Sequence, residues 1–168
     1  MLSRTLGSLV RQAPRVAFLR GYAAAAQESA KSSEDLRLTL ASPTKSYYTN
    51  EVVKQVDVPT LAGTVGVLAK HVPTIGVLKP GVVDVTDNEG KHLKVFVSSG
   101  TFSMNIDGSC QVLAEEILEV SDIDESLARQ ELDAAQRSSG TGSDVERAEA
   151  QIRAEVADAL LKAATGQQ

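Results

Sequence analysis

From residue 36 to residue 120 the chain alternates apolar and polar side chains. The first run, residues 36–40, is Leu-Arg-Leu-Thr-Leu. The same alternation returns in four later segments, at residues 55–58, 83–86, 93–97 and 102–106. Such a pattern is typical of half-buried antiparallel strands, with one face on a core and one in water. Because many short strands follow one another closely, the region is predicted to be a β-sandwich or barrel.

Turn residues separate these candidate strands. Asp87–Gly90 joins two of them, and Asp107-Gly108 is predicted to be a two-residue type I′ hairpin connection. Two further glycine-containing segments, residues 63–66 and residues 76–81, match neither phosphate-binding glycine pattern. We predict that both are turns.

Near residue 121 the spacing of apolar residues changes from that of a strand to that of a helix. Ser121 and Asp122 are candidate caps. A first helix is predicted for residues 124–137, followed by a break rich in serine and glycine. A second helix opens at Ser143, with Glu146 three residues later in a capping box.

The second helix has a continuous apolar stripe, and ion pairs are predicted at i,i+4 spacing on both helices. The stripe consists of Val145, Ala148, Ile152, Val156, Ala159, Leu160 and Ala163. The pairs are Glu125–Arg129, Asp133–Arg137, Glu149–Arg153 and Asp158–Lys162. Since isolated helices of this length are marginal, the stripe must pack on the first helix, the sandwich or a partner. The predicted class is α+β: an N-terminal antiparallel β-sandwich at residues 36–120 and a C-terminal antiparallel two-helix hairpin at residues 121–168.

The first 22 residues differ in charge from the rest of the chain. They contain four arginines and no acidic residue, although the whole chain has a net charge of -5. A basic segment without acidic residues, in which arginines interrupt the apolar residues, is typical of a mitochondrial transit peptide. We expect cleavage between Tyr22 and Ala23 and a flexible arm at residues 23–35. The alternative is a basic amphipathic helix at a membrane surface.

No catalytic, metal or cofactor site is predicted. The chain has one cysteine, Cys110, and two histidines, none in a metal-ligand spacing. We expect Cys110 to be an inert core thiol, His92 to be exposed, His71 to order a loop and Glu115-Glu116 to be a solvated strand end. The acidic composition argues against nucleic-acid binding, and no run of about 18 apolar residues predicts a membrane span.

Four motifs, in order, resemble one family. Residues 63–73, Gly-Thr-Val-Gly-Val-Leu-Ala-Lys-His-Val-Pro, are similar to the pattern G-x-x-G-x-x-x-x-H-x-P. Residues 78–83 are similar to L-K-P-G-x-v, residues 97–102 to v-S-x-G-x-x, and residues 112–115 to the end of v-t-v-L-A-d. These patterns occur in the bacterial and chloroplast epsilon subunits of ATP synthase and in their mitochondrial delta counterparts. The resemblance extends over about residues 36–164.

The resemblance implies a sandwich of about ten strands and a helical hairpin in a non-catalytic subunit of the rotating central stalk. The implied partners are the gamma subunit, the mitochondrial epsilon subunit and the c-ring, and the implied place is the matrix side of the mitochondrial inner membrane, peripheral to it. No homo-oligomer and no nucleic-acid partner are implied. The loops at residues 60–81 are then expected to contact the c-ring or gamma subunit, through Thr64, Val65, Val67, His71, Pro73 and Pro80.

Two positions depart from the family patterns. Thr64 stands where bacterial members often have a glutamate. Some bacterial members bind ATP through I/L-D-x-x-R-A at the start of the first C-terminal helix, where this chain has Leu127 in place of the arginine. We therefore expect no ATP sensing, and we expect Leu127 to pack against the second helix. An ATP sensor and an unrelated binding module, such as an assembly chaperone, remain the alternatives.

Overall fold

The computed structural model describes residues 34–140 and 142–166. In this part of the chain, ten strands precede a short 3-10 turn at Val120–Asp122 and two helices, α1 (Glu125–Ser138) and α2 (Asp144–Thr165). The strands are β1 (Leu36–Ala41), β2 (Ser46–Val53), β3 (Gln55–Thr60), β4 (Gly63–Leu68), β5 (Thr74–Leu78), β6 (Gly81–Thr86), β7 (His92–Val97), β8 (Gly100–Met104), β9 (Ser109–Ala114) and β10 (Ile117–Glu119). The predicted class and order of elements are confirmed. The transit peptide, its cleavage site and most of the arm lie outside the described residues.

Nine strands hydrogen-bond in the order β10, β7, β6, β3, β5, β8, β9, β1, β2, and β4 branches from β3. Neighbours are antiparallel except β1 and β9, which run parallel. The antiparallel prediction rested on the alternation of apolar and polar residues, which does not identify the partner of each strand, and β1 and β9 are far apart in sequence. The fold is therefore a mostly antiparallel sandwich with one parallel pair.

The core consists of the inward-facing positions of the alternating segments. Fully buried members are Leu36, Leu38, Leu40, Val56, Val58, Val67, Val83, Val85, Val95, Val97, Phe102, Cys110 and Val112. Each buried side chain of this size contributes roughly 1.5–3 kcal/mol as an upper bound. Ile106, expected on the same face as Phe102, is instead exposed beyond the end of β8.

The β8–β9 connection is longer than predicted. The Asn105 N–H donates to the Ser109 carbonyl at 2.9 Å, and the Gly108 N–H donates to the Asn105 carbonyl at 3.2 Å. Gly108 has a φ of 84°, whereas Asp107 is not in the positive-φ region that a type I′ turn requires at both central residues. The connection is a type I turn followed by a left-handed glycine, so the type I′ prediction is wrong. The turn predicted at Asp87–Gly90 is confirmed.

The two glycine segments predicted to be turns are mostly strand. Residues 63–66 begin β4, and residues 76–78 end β5. A Cβ atom on Gly76 would lie 3.5 Å from Phe102 Cδ1, an ordinary van der Waals contact, so this part of β5 packs over a core ring. Only Lys79-Pro80 connects β5 to β6.

Asp124 caps α1, and Ser143 caps α2. The Asp124 carboxylate accepts the N–H groups of Ser126 at 2.8 Å and Leu127 at 3.1 Å, so the predicted caps two and three residues earlier are wrong. The capping box at Ser143 is confirmed, with the Ser143 N–H donating to Glu146 at 2.7 Å. Neither described helix has the length and apolar composition that a bilayer crossing requires.

Alanines form the contact between α1 and α2. The buried residues of the two helices are Ala128, Ala135, Ala150, Ala157 and Ala163. Val145 and Ile152, expected to be buried in the stripe, are exposed, and so is Leu127. Small side chains let the two helices approach closely, and Leu127, Val145 and Ile152 remain exposed.

Two of the four predicted ion pairs form. Glu125–Arg129 is confirmed at 2.8 Å and Asp158–Lys162 at 2.6 Å. Arg153 instead reaches across the hairpin to Glu131 at 2.8 Å, so its predicted pairing with Glu149 is wrong. The pair predicted between Asp133 and Arg137 does not form in the described structure either.

Candidate partner-binding site

The structure separates the predicted contact residues into two groups. Thr64 and Pro80 line one cavity between the sandwich and α2. His71 and Pro73 lie beyond the opposite end of β4, a strand of six residues that extends for about 20 Å. The loop positions predicted to act together are therefore at two ends of one strand.

Val65 and Val67 face the core. Val67 is fully buried, and Val65 is partly buried against the same core cluster. Because alternation along β4 turns these two side chains inward, neither is presented on the outer face of this strand. Its outward positions are Thr64, Gly66 and Leu68.

The cavity between the sandwich and α2 has a volume of about 320 Å³. Lys79 on the sandwich and Glu155 on α2 approach to 3.8 Å across it. The other cationic side chain in its lining, Lys162, is paired with Asp158 at 2.6 Å. Both lysines of the lining thus already have acidic partners.

The acidic side chains on the sandwich wall of this cavity are also engaged. Asp57 accepts two bonds from Gln55 Nε2, at 2.9 Å and 3.1 Å. Asp84 accepts from His92 Nδ1 at 3.0 Å and lies 3.8 Å from Lys94 Nζ. The arrangement joins two structural layers and leaves no unpaired cation in this lining for a polyphosphate.

His71 orders the loop after β4, as predicted. Its Nδ1–H donates to the Val72 carbonyl at 2.8 Å, and its backbone N–H donates to the Leu68 carbonyl at 3.1 Å. The preceding Lys70 has a φ of 63° and pairs with Glu34 at 3.1 Å. These contacts fix the loop next to the start of β1.

An exposed apolar surface lies beside these loops. It consists of Leu61, Ile75 and Val77, which are 70%, 86% and 54% exposed, and we call it the β5 patch. The Leu61 N–H donates to the Val77 carbonyl at 3.1 Å, so Leu61 is held next to β5. A group of large exposed apolar side chains commonly marks a protein interface. We did not predict this patch from the sequence, although Ile75-Gly76-Val77 has the period of a strand.

Two side chains whose pKa is shifted, Cys110 and Asp107, have structural roles. Burial raises the pKa of the Cys110 thiol to about 12, which keeps it protonated and unreactive as expected. The Ser109 hydroxyl and N–H groups donate to Asp107 and lower the pKa of that carboxyl.

Glu115 and Glu116 are exposed between β9 and β10, as predicted. No cluster of three His, Cys, Asp or Glu side chains suited to a metal ion occurs in the described residues.

The profile of the family described as ATP synthase, Delta/Epsilon chain, beta-sandwich domain matches residues 35–120. The chain is 68% identical over 168 residues to a Caenorhabditis elegans protein named ATP synthase subunit delta, mitochondrial, with all of both chains covered. The chain belongs to the delta/epsilon family of ATP synthase subunits. A Yarrowia lipolytica member with the same name is 39% identical over 150 residues, which are 89% of each chain. The resemblance stated from the four motifs is confirmed.

Two chains in solved structures of mitochondrial ATP synthases agree with the fold. A chain of the Euglena gracilis mitochondrial ATP synthase (OSCP/F1/c-ring) matches with a TM-score of 0.71 at 24% identity, covering 89% of this chain and 88% of its own. A chain of the Tetrahymena thermophila mitochondrial ATP synthase central stalk and c-ring matches with a TM-score of 0.61 at 15% identity, covering 80% and 99%. At these identities the likeness supports the sandwich and hairpin architecture.

Proposed function

We propose that the chain is a non-catalytic central-stalk subunit of a mitochondrial F-type ATP synthase. It joins the gamma subunit to the c-ring, so that proton-driven rotation reaches the catalytic head, and the mitochondrial epsilon subunit belongs to the same assembly. The Caenorhabditis elegans relative named as a mitochondrial delta subunit, which matches the full length of the chain, supports this assignment. The chain is then peripheral to the inner membrane on its matrix side.

The β5 patch is the observation that favours a docking role most. Its three side chains are exposed next to the loops that resemble the family pattern, and they are supported by a rigid strand that pairs with β8 along its whole length. We therefore propose the β5 patch, together with Thr64, His71, Pro73 and Pro80, as the surface that faces the gamma subunit and c-ring. Desolvating such apolar anchors is the main source of energy in protein interfaces.

A coupling role needs rigid contacts rather than a reactive group. The charged side chains that line the cavity have hydrogen-bond or ion-pair partners, and the one cysteine of the chain is buried and protonated. These features support a subunit that transmits torque and holds no catalytic residue. Residues 1–22 are then the import signal, removed near Ala23, because they are basic and free of acids.

Affinity purification from mitochondria tests the function. A C-terminally tagged chain should recover the gamma subunit and the c-ring at equal stoichiometry, with a mature N-terminus near Ala23. Recovery without any ATP synthase subunit would contradict the proposed function. An N-terminus still at Met1 would contradict the processing proposal alone.

A further inference from the structure

The strand β4 lies at an edge of the sandwich. Among the described strands it pairs with β3 alone and branches from the main order of the sheet. All six of its residues pair with β3 without a break in register. A regular edge strand presents a row of unpaired N–H and C=O groups to which another strand can bind. β4 is therefore a candidate for strand addition.

The register identifies the backbone groups of β4 that point away from β3. The turn between Thr60 and Gly63 has two residues, so these two residues form a hydrogen-bonded pair. Hydrogen-bonded and non-hydrogen-bonded pairs alternate along an antiparallel ladder. The backbone N–H and C=O groups of Thr64 and Gly66 thus point outward, and in the described part of the chain no turn or side chain bonds to them. We call this side of β4 the open edge.

The edge strand β2, at one end of the sheet order, is protected in ways that β4 is not. Its pairing with β1 breaks register twice, and Asn50 has a φ of 56°. Irregularities of this kind turn an edge away from an incoming strand. In addition, the Asn88 side-chain amide donates to the Val52 carbonyl at 3.4 Å, so it occupies an acceptor that an incoming strand would need. The regular register of β4 leaves its edge accessible by comparison.

A carboxylate without a cationic partner lies beside the open edge. Asp57 on β3 is directly opposite Gly66, and a Cβ atom on Gly66 would be 3.0 Å from Asp57 Oδ1. Asp57 accepts hydrogen bonds from Gln55, but no ion pair of the described residues includes it. Its neighbour on β6, Asp84, is by contrast 3.8 Å from Lys94 Nζ. The glycine therefore leaves Asp57 accessible from the open edge.

We infer that an extended segment of a partner subunit adds to the open edge as a further strand and places a Lys or Arg beside Gly66, where it pairs with Asp57. Strand addition supplies main-chain hydrogen bonds, and the charge pair selects the segment. Because side chains alternate along a strand, the residues before and after this cation lie on the side of Val65, which is only partly buried. We expect these two residues to be apolar.

A second copy of the chain does not fit the open edge. Two β4 strands paired antiparallel about Gly66 would bring two Asp57 carboxylates toward each other, and like charges across a strand pair are destabilising. The inference rests on the proposed function, which supplies the assembly in which the basic partner segment is found.

Hydrogen exchange at the level of single amides tests the strand addition. In the isolated chain the amides of Thr64 and Gly66 should exchange rapidly, whereas those of Val65 and Val67, which point toward β3, should be protected. In the assembled ATP synthase the Thr64 and Gly66 amides should exchange at least about tenfold more slowly, because each gains a hydrogen bond. Rapid exchange of both amides in the complex, or protection of both already in the isolated chain, would overturn the inference.

Cross-linking in mitochondria identifies the segment and tests the charge pair. A photoreactive amino acid replaces Leu68, which is 50% exposed on the outward face of β4. The adduct is expected on a segment with a Lys or Arg between two apolar residues. Adding Asp57→Asn, which removes the charge but keeps an acceptor for Gln55, should lower the adduct yield about tenfold.

Glu51→Gln is the matched control, because it removes the same charge from an exposed position of the edge strand β2. It should leave the adduct yield within about twofold, as expected for a surface charge away from the contact. No adduct in the assembled complex, an adduct on a second copy of the chain or on an acidic segment, or equal effects of the two variants would overturn the inference. Native electrophoresis separates the two proposals: a chain that never enters the complex overturns both, whereas a chain that enters it with the open edge still exchanging rapidly overturns this inference alone.

Discussion

The backbone of Gly100 lies directly against the carbonyl of Leu113. A Cβ atom added to Gly100 would be 2.1 Å from the Leu113 carbonyl oxygen and 2.8 Å from the Ala114 Cα. Gly100 also has a φ of 153°, a conformation that L side chains rarely adopt. The glycine of the Val-Ser-Ser-Gly-Thr-Phe motif is therefore required by the close pairing of β8 with β9.

Gly100→Ala should destabilise the sandwich by about 3 kcal/mol or more, because backbone would have to move in two paired strands. The measurement is urea unfolding of residues 23–168, followed by circular dichroism. Gly90→Ala is the control: its φ of 82° is also strained, but nothing lies within 4 Å of the added Cβ. Equal losses for the two variants would show that the contact with Leu113 does not decide the effect.

Val67→Asp should unfold the sandwich, since it places a charge in the fully buried core. The expected cost is several kcal/mol, as for an unpaired buried charge. Thr64→Asp, on the outward face of the same strand, should cost less than about 1 kcal/mol. Thermal unfolding of both variants checks the orientation of β4, and a folded Val67→Asp chain would refute it.

The Cys110 thiol should be protected and should make stability depend on alkaline pH. Its pKa is raised from an ordinary value of 9.0 to about 12 by burial. Because the pKa is raised in the folded chain, the contribution of the thiol to the free energy of unfolding is fully present below pH 9. This contribution is lost as the pH rises toward 12. Between pH 9 and pH 12, Cys110→Ala should therefore lose less stability than the unsubstituted chain.

Reactivity checks the same thiol independently. Below pH 9, a disulfide reagent should modify the folded chain roughly a thousandfold more slowly than the unfolded chain, because reaction requires opening of the core. Rapid modification of the native chain would contradict the burial of Cys110.

The chain should not bind ATP. The Asp124 carboxylate is already occupied as the cap of α1, and the exposed Leu127 offers no donor where the bacterial pattern has arginine. Loss of hydrogen bonds to a charged group costs about 1.5–3 kcal/mol each. Titration calorimetry of residues 23–168 with magnesium and ATP should show no saturable binding at millimolar ATP. Binding that Asp124→Ala abolishes would support the sensor alternative.

The variant Leu127→Arg distinguishes two reasons why the chain would not bind ATP. If this single change creates ATP binding, the missing guanidinium is the decisive difference from the bacterial members. If it does not, positions other than residue 127 also differ from those of the bacterial ATP site.

The alternation of apolar and polar residues predicted the core side chains well. It failed in strands where a glycine occupies the polar position between two apolar residues. Leu36, Val56 and Val83 are buried as their period requires. In β4 and β5 the positions between apolar residues are glycines, which indicated turns although the chain continues as strand. The β5 patch was missed for the same reason, since Ile75 and Val77 belong to a strand that was not recognised.

The limits of the two helices and the cap of α2 were predicted more reliably than the packing of the hairpin. Ser143 and Glu146 form the expected capping box because that motif is local. Which face of α2 meets α1 depends on tertiary contact, and alanines such as Ala150 and Ala157 provide it. Helical periodicity gave Val145 and Ile152 a common face but could not tell whether the sandwich extends far enough to cover them.

The β5 patch tests the proposed coupling role most directly. In mitochondria whose own copy of the chain is replaced, Ile75→Asp should lower the amount of assembled ATP synthase about tenfold on native gels, the effect of losing one interface anchor. Val52→Asp, at an exposed apolar position of β2, should leave assembly unchanged, and both isolated variants should remain folded. Normal assembly with Ile75→Asp, or an equal loss with Val52→Asp, would contradict the claim that this face docks the chain in the central stalk.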